Sequence, residues 1–272
     1  MYLDYFRLNE KPFEYLIPDP RYYYYSTQGK NIKNQCEYIV SEKKGHLYIS
    51  GPIGVGKTTL LKTLTQSLIA DKDNIVNFIN VPNLKTSNAL MRRISEGFNV
   101  KTEKSYNGTL ENFTRWLAET DRFPILVIDE GQNLVLDSLR TLHYLMTYVS
   151  DRLLMMIILC GQEDMAVKIN NYPPLKSRMY PASLSSLTRK DAEEMLNHRW
   201  AIASQSPVSK LPFTKSAIDL VWSASNGVPR SMCQVADIAL LIAYNKKSSN
   251  INRPIVNTSL QLISSDKKGK HD

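Results

Sequence analysis

Gly51-Pro52-Ile53-Gly54-Val55-Gly56-Lys57-Thr58, followed by Thr59, is the stretch on which the reading of the whole chain turns. It fits the pattern G-x-x-x-x-G-K-[ST] at every fixed position. Glycines let the backbone curl so that its N–H groups point inward at phosphate oxygens. Lys57 would bring a positive charge to the β- and γ-phosphates, and the Thr58 hydroxyl would ligate magnesium. A helix starting at Lys57 would aim its positive end at the same anion. Residues 45–50 before the loop read as a strand and residues 57–70 after it as a helix, which is the setting the pattern requires.

Outward from the loop, strand and helix patterns alternate. Residues 31–41 read as a helix. Residues 74–80 read as a β-branched strand, 87–97 as a helix capped by Ser87 and stopped at Gly97, and 110–119 as another helix. Residues 124–129 and 153–159 are continuous apolar runs, suited to strands buried on both faces, while Leu139, Leu142, Met146 and Val149 recur at helical spacing. This alternation predicts a three-layer α/β domain over residues 31–184, with helices on both faces of a mainly parallel sheet. Residues 185–246 read as helices alone and form a smaller helical domain. Residues 1–30 hold many aromatics and Pro12, Pro18 and Pro20, and read as an extended arm strapped across the main domain. Its rings either complete the core or also flank a nucleotide base. Residues 247–272, with Lys267, Lys268 and Lys270, read as a basic tail, partly disordered.

Ile125-Leu126-Val127-Ile128-Asp129-Glu130 supplies the second half of a phosphoryl-transfer site. The apolar run places Asp129 at the C-terminal edge of a buried strand, where open α/β sheets bind ligands. Asp129 would hold magnesium through water, and Glu130 would polarise the attacking water. The Asn-Lys-x-Asp base-reading motif of GTPases is absent from the sequence. Gln162, after the run at 153–160, is either a sensor of γ-phosphate or water, or simply a turn residue. Arg230 opens a helix of the small domain, from which it could report nucleotide state through a lid movement. Arg178 is either an arginine finger offered to a neighbouring subunit or an exposed surface arginine.

Bulk properties narrow the class. Of 272 residues 43% are apolar, enough for a real core, and the longest apolar runs are too short to span a bilayer. The N-terminus lacks the basic-then-apolar pattern of a secretory signal. Cys36, Cys160 and Cys233 have no metal-type spacing and read as buried hydrophobes in a reducing cytoplasm. A net charge of +8 favours a polyanionic partner, either nucleic acid or an acidic membrane surface. Lys85, Arg92, Arg93, Lys101 and Lys104 form a basic stretch that either contacts DNA or lies on a solvated face.

The order P-loop, Asp129-Glu130, Gln162, Arg178, Arg230 resembles that of AAA+ ATPases. Finer likeness is to the ExeA family. It is carried by Tyr2-Leu3-Asp4-Tyr5-Phe6, Leu8-Asn9-Glu10-Lys11-Pro12-Phe13, Pro18-Asp19-Pro20-Arg21, Ile128-Asp129-Glu130-Gly131-Gln132-Asn133-Leu134 and Leu159-Cys160-Gly161-Gln162-Glu163. Leu187-Thr188, Ala192-Glu193 and His198-Arg199 add to it. The resemblance spans roughly residues 1–245 and implies a P-loop AAA+ αβα domain with a C-terminal helical lid, using ATP and Mg2+. It points to two groups. One is the TnsC/TniB transposition regulators, which assemble on double-stranded DNA as rings or helical filaments and link a target-selection protein to the transposase. The other is the secretion accessory ATPases of the ExeA type. A nucleotide switch with little turnover is a third reading, which Glu130 disfavours. The absence of a membrane segment in these residues and the basic charge favour the DNA group and a cytoplasmic location.

Overall fold

The structure, a computed structural model, describes residues 2–80, 86–147, 153–206 and 208–268, with side-chain surroundings to 265. It divides into two compact units, one of residues 27–53 and 57–184, the other of residues 1–26, 54–56 and 185–272.

After a short helix α1 (Tyr2–Tyr5), the first of these units runs α2 (Thr27–Glu42), β1 (His46–Ser50), α3 (Lys57–Ala70), β2 (Asn74–Asn80), α4 (Ser87–Gly97), α5 (Tyr106–Glu119), β3 (Phe123–Asp129), α6 (Leu136–Thr147), β4 (Met156–Gly161), α7 (Glu163–Asn170), α8 (Pro173–Lys176) and β5 (Met179–Ser183). Among the described residues its strands form one parallel sheet in the order β2-β3-β4-β1-β5. Strands that all run one way need helical crossovers, and those crossovers cover both faces. That is why β3 and β4 are buried at every position. On one face Leu126, Ile128, Ile157 and Leu159 pack against α4, α5 and α6 through Leu90, Ile94, Phe113 and Leu142. Each such side chain contributes about 1.5–3 kcal/mol by leaving water.

The sequence expectations for this unit hold in outline and differ in particulars. The cap of α4 is Thr86, whose hydroxyl accepts the Ala89 N–H at 3.1 Å, not Ser87, which is already helical. Helix α2 begins four residues before the expected Asn31. The sequence does not announce β5: Met179–Ser183 lies at the edge of the sheet, buries only Met179 and Ala182, and contains Pro181, which an edge strand tolerates. Val149 and Lys85 lie outside the described residues.

The other unit contains α9 (Arg189–Ala203), α10 (Lys215–Ala224), α11 (Pro229–Asn245) and α12 (Arg253–Lys268). Two corrections arise here. The N-terminal arm, expected as an extended strap, belongs to this unit: Tyr2, Leu8, Phe13 and Tyr22 are built into its core with Trp200, Phe213 and Met232. Arg199 fastens it, donating from Nε to the Pro12 carbonyl (2.9 Å) and from its other end to the Glu14 carbonyl, with the guanidinium over the Tyr22 ring. The expected tail from 247 instead carries α12, whose Ile255 and Val256 are buried in that same core; Lys270 lies outside the described residues. Polar surface residues hid this helix, because only a narrow stripe of it is apolar. The three cysteines are free and buried. Among the described residues no helix is long and apolar enough to cross a membrane.

His46 gives the larger unit a measurable pH signature. Its Nδ1 accepts the Ile157 N–H at 3.1 Å, tying β1 to β4, and burial, helped by the charge of Arg178, pushes its pKa from 6.5 down to about 3. A depressed folded-state pKa means stability that is complete above about 6.5 and is lost as pH falls toward 3. His46→Gln, which keeps a neutral acceptor, should flatten that loss; urea midpoints measured from pH 7 to 5 should converge for the two proteins if the account holds. A parallel pH dependence in the variant would contradict it.

Candidate functional site

A parallel sheet brings the C-terminal ends of its strands to one edge. Here β1 runs into the Gly51–Thr58 loop, β3 ends on Asp129 and β4 ends at Gly161. Lys57 Nζ donates to the carbonyls of Gly51 and Pro52, both at 2.8 Å, so the loop's own oxygens hold the ammonium at the mouth of α3. Gly54 and Gly56 have φ of +85° and +97°, which any other residue would adopt only with strain. Val55 is buried, and Thr58 and Thr59 lie in the first turn of α3.

Asp129 is 2% exposed. One carboxylate oxygen, Oδ1, accepts the Glu130 N–H at 2.9 Å, and the Thr58 hydroxyl also bonds this carboxylate. The other, Oδ2, is buried with no hydrogen-bond partner. Burial pushes the Asp129 pKa up, against the pull of Thr58 and the Glu130 amide. An ionised carboxylate left in this state costs several kcal/mol, which a bound cation would offset. A carboxylate beside a threonine hydroxyl is an oxygen-only donor set, the type magnesium takes. Among the described residues no group of three or more His, Cys, Asp or Glu could hold a metal alone. The donors therefore fit a magnesium ion that completes its shell with water and ligand phosphates, as that ion commonly does.

Glu130 sits in the left-handed region (φ 56°, ψ 37°) and starts a 3-10 turn, Gly131–Asn133. A non-glycine residue there costs about 1–2 kcal/mol. The turn sends Glu130 away from the buried strand while keeping it next to Asp129. Its carboxylate accepts a hydrogen bond from Gln132 Nε2. In the sequence Gln132 stands out only through its family likeness. Its pairing to Glu130 could not be read from sequence, because it depends on the left-handed turn between them.

The remaining candidates are not all at this edge. Gln162 stands at the start of α7, and its N–H donates to Gln132 Oε1 at 3.0 Å. Arg178 precedes β5, and its carbonyl accepts the N–H of His46, the first residue of β1. It is thus at the opposite edge of the sheet from Lys57, separated by a strand of five residues, on the order of 15 Å. Its backbone therefore lies a strand's length from the phosphate loop of its own chain. Arg230 belongs to the helical unit, where its N–H donates to the Gly54 carbonyl at 3.1 Å. Arg92, Arg93, Lys101 and Lys104 are exposed, the first two on α4; Lys101 is paired with Glu103 at 3.1 Å, and Lys85 is outside the described residues.

Residues 40–168 match a family model described as an AAA domain. The chain is 28% identical over 265 residues to General secretion pathway protein A of Aeromonas hydrophila, an alignment covering 92% of this chain and 46% of that protein. It thus spans about half the length of the curated relative it matches. Among solved structures, Drosophila ORC bound to DNA is similar with a TM-score of 0.73 and 16% identity, over 97% of this chain and 66% of that one. The Aeropyrum pernix ORC2 protein in its ADPNP-ADP complexes gives 0.69 and 13%, over 93% and 71%. The Aeropyrum pernix ORC1 protein in complex with DNA gives 0.66 and 16%, over 92% and 67%. At these identities the likeness is one of fold: an α/β P-loop AAA+ fold on a five-stranded parallel sheet, as expected from the sequence.

Asp129→Asn keeps the side chain's shape and removes its charge. Calorimetric titration with ATP should find that magnesium strengthens binding roughly ten-fold less in the variant than in the wild type. Equal gains from magnesium in both proteins would remove Asp129 from the cation site.

Proposed function

We propose that this AAA-domain chain is a magnesium-dependent ATPase that assembles on duplex DNA and regulates transposition, connecting a target-selection protein to the transposase. The observation that carries the enzymatic part is the buried, half-partnered Asp129 bonded to Thr58, with Glu130 next to it. On this reading the backbone of Gly51–Thr58 (Gly51, Pro52, Gly54, Val55 and Gly56 included), with Thr59, cradles the phosphates, and Lys57 binds the β- and γ-oxygens. Magnesium, when bound between Thr58 and Asp129, would neutralise phosphate charge. Glu130 orients water and takes its proton as the oxygen attacks the γ-phosphorus and the bond to the ADP oxygen breaks. Gln162 lies near the γ-phosphate, and Arg230 reports nucleotide state from the helical unit.

Arg178, at the far edge of its own sheet, fits a finger that completes the site of a neighbouring copy. A ring or helical filament presents that edge of each subunit to the next. DNA as the template is supported by the net charge of +8 and by the exposed Arg92, Arg93, Lys101 and Lys104, with Lys85 in the same stretch. Two of the similar structures are of DNA complexes. This reading places the protein in the cytoplasm, where its template is.

A second reading, a secretion accessory ATPase with no role on DNA, is favoured by the likeness to General secretion pathway protein A. The two part on one assay. ATP hydrolysis measured with and without duplex DNA, with electron microscopy in a slowly hydrolysed analogue, should give DNA-stimulated turnover and DNA-dependent polymers. An ATPase indifferent to DNA would sink the transposition reading and leave the secretion one. For the site itself, Lys57→Ala should abolish nucleotide binding. Glu130→Gln should bind ATP normally while turning over about 100-fold or more slowly; normal turnover would end its role as water activator.

A further inference from the structure

The carboxylate of Glu130 is not left to solvent. Gln132 Nε2 donates to it, and the same amide's Oε1 accepts the Gln162 N–H at 3.0 Å. A primary amide bonded at both ends has its plane fixed, so its N–H is aimed rather than merely near. The approach needs Gly161: a Cβ there would lie 2.6 Å from Gln132 Oε1 and 2.9 Å from Met165 Sδ. The turn carrying Gln132 is fastened from α7 as well. Lys168 Nζ donates to the Gln132 carbonyl and, at 3.1 Å, to the Leu134 carbonyl. Three bonds therefore join the exit of β3 to the segment after β4, two of them ending on Gln132 and the third on Leu134.

We infer that Gln132 is a positioning residue that holds the Glu130 carboxylate for the attacking water and ties its orientation to the β4–α7 turn. This rests on the reading of Glu130 as water activator. Glu130 alone is poorly constrained: it sits on a strained left-handed residue, partly exposed, at the rim of the sheet. Holding a reacting group within about an ångström of its productive place is worth on the order of 100-fold in rate. The wiring also gives whatever moves α7 a direct handle on hydrolysis, because Gln132 cannot keep both bonds if the β4–α7 turn shifts away from the β3 turn.

Steady-state turnover and nucleotide affinity of the full chain test this. Gln132→Met keeps the length and removes both hydrogen-bonding ends. It should lower kcat on the order of 10- to 100-fold with Kd for ATP unchanged. Gln132→Glu puts an acceptor where the donor was and should lose at least as much. Lys168→Met, which cuts the fastening and leaves the amide intact, should lower kcat less, and stands in if the Gln132 variants do not fold. None of these should slow Glu130→Gln further. A wild-type kcat in Gln132→Met, a loss that adds in full to that of Glu130→Gln, or a matching loss of ATP affinity would each overturn the inference. Normal turnover in Glu130→Gln itself would instead overturn the functional reading on which it stands.

Discussion

The contact between the Thr58 hydroxyl and the Asp129 carboxylate is the joint on which the larger unit is organised. It links the first turn of α3 to the end of β3, a strand buried along its whole length. The apolar residues before Asp129 secure the strand, and that security lets the chain hold a carboxylate in a place water hardly reaches. Burial pushes the carboxylate toward its neutral form, while the threonine and the following amide pull it back. One oxygen stays unsatisfied. A cation bound there would satisfy that oxygen, which is the physical ground for the proposed magnesium site.

The parallel sheet also decides which candidate residues share an end of the strands. Because all its strands run the same way, residues that follow strands gather at one edge and residues that precede them at the other. Lys57, Asp129, Glu130 and Gln162 are of the first kind, and Arg178 is of the second. A substitution cannot move Arg178 to its own phosphate loop. If it contributes to phosphoryl transfer, it does so for another copy, and hydrolysis then depends on assembly. That dependence is the physical content of the proposed ring or filament. The identity of the polymer's template rests on separate grounds: positive charge, exposed arginines on α4 and family likeness.

Much of this architecture is legible in the sequence. The phosphate loop and the buried run ending in Asp129-Glu130 are local patterns, and local patterns dictate local geometry. Alternation of apolar runs with amphipathic stretches was enough to give a parallel sheet between helices. What escaped was set by distant partners. Thr86 outcompeted Ser87 as a cap by one residue, a difference that side-chain geometry decides. Nothing local in the aromatic arm says that Phe13 and Tyr22 enter the core of the helical unit. Helix α12 resembles a tail in sequence, since its buried stripe is narrow and the rest of it is polar. Gln132 was invisible as a partner of Glu130, because the left-handed turn between them has no simple sequence signature.

If the site around Lys57 works only when a neighbour supplies Arg178, mixing two defective proteins will show it. Glu130→Gln keeps its arginine but has a dead site of its own; Arg178→Ala keeps its site but offers nothing to a neighbour. Combined under assembling conditions, they should hydrolyse ATP faster than the sum of the two measured separately, with a maximum at an intermediate ratio. A rate that follows the simple average of the two at every ratio would contradict the account and return Arg178 to the surface.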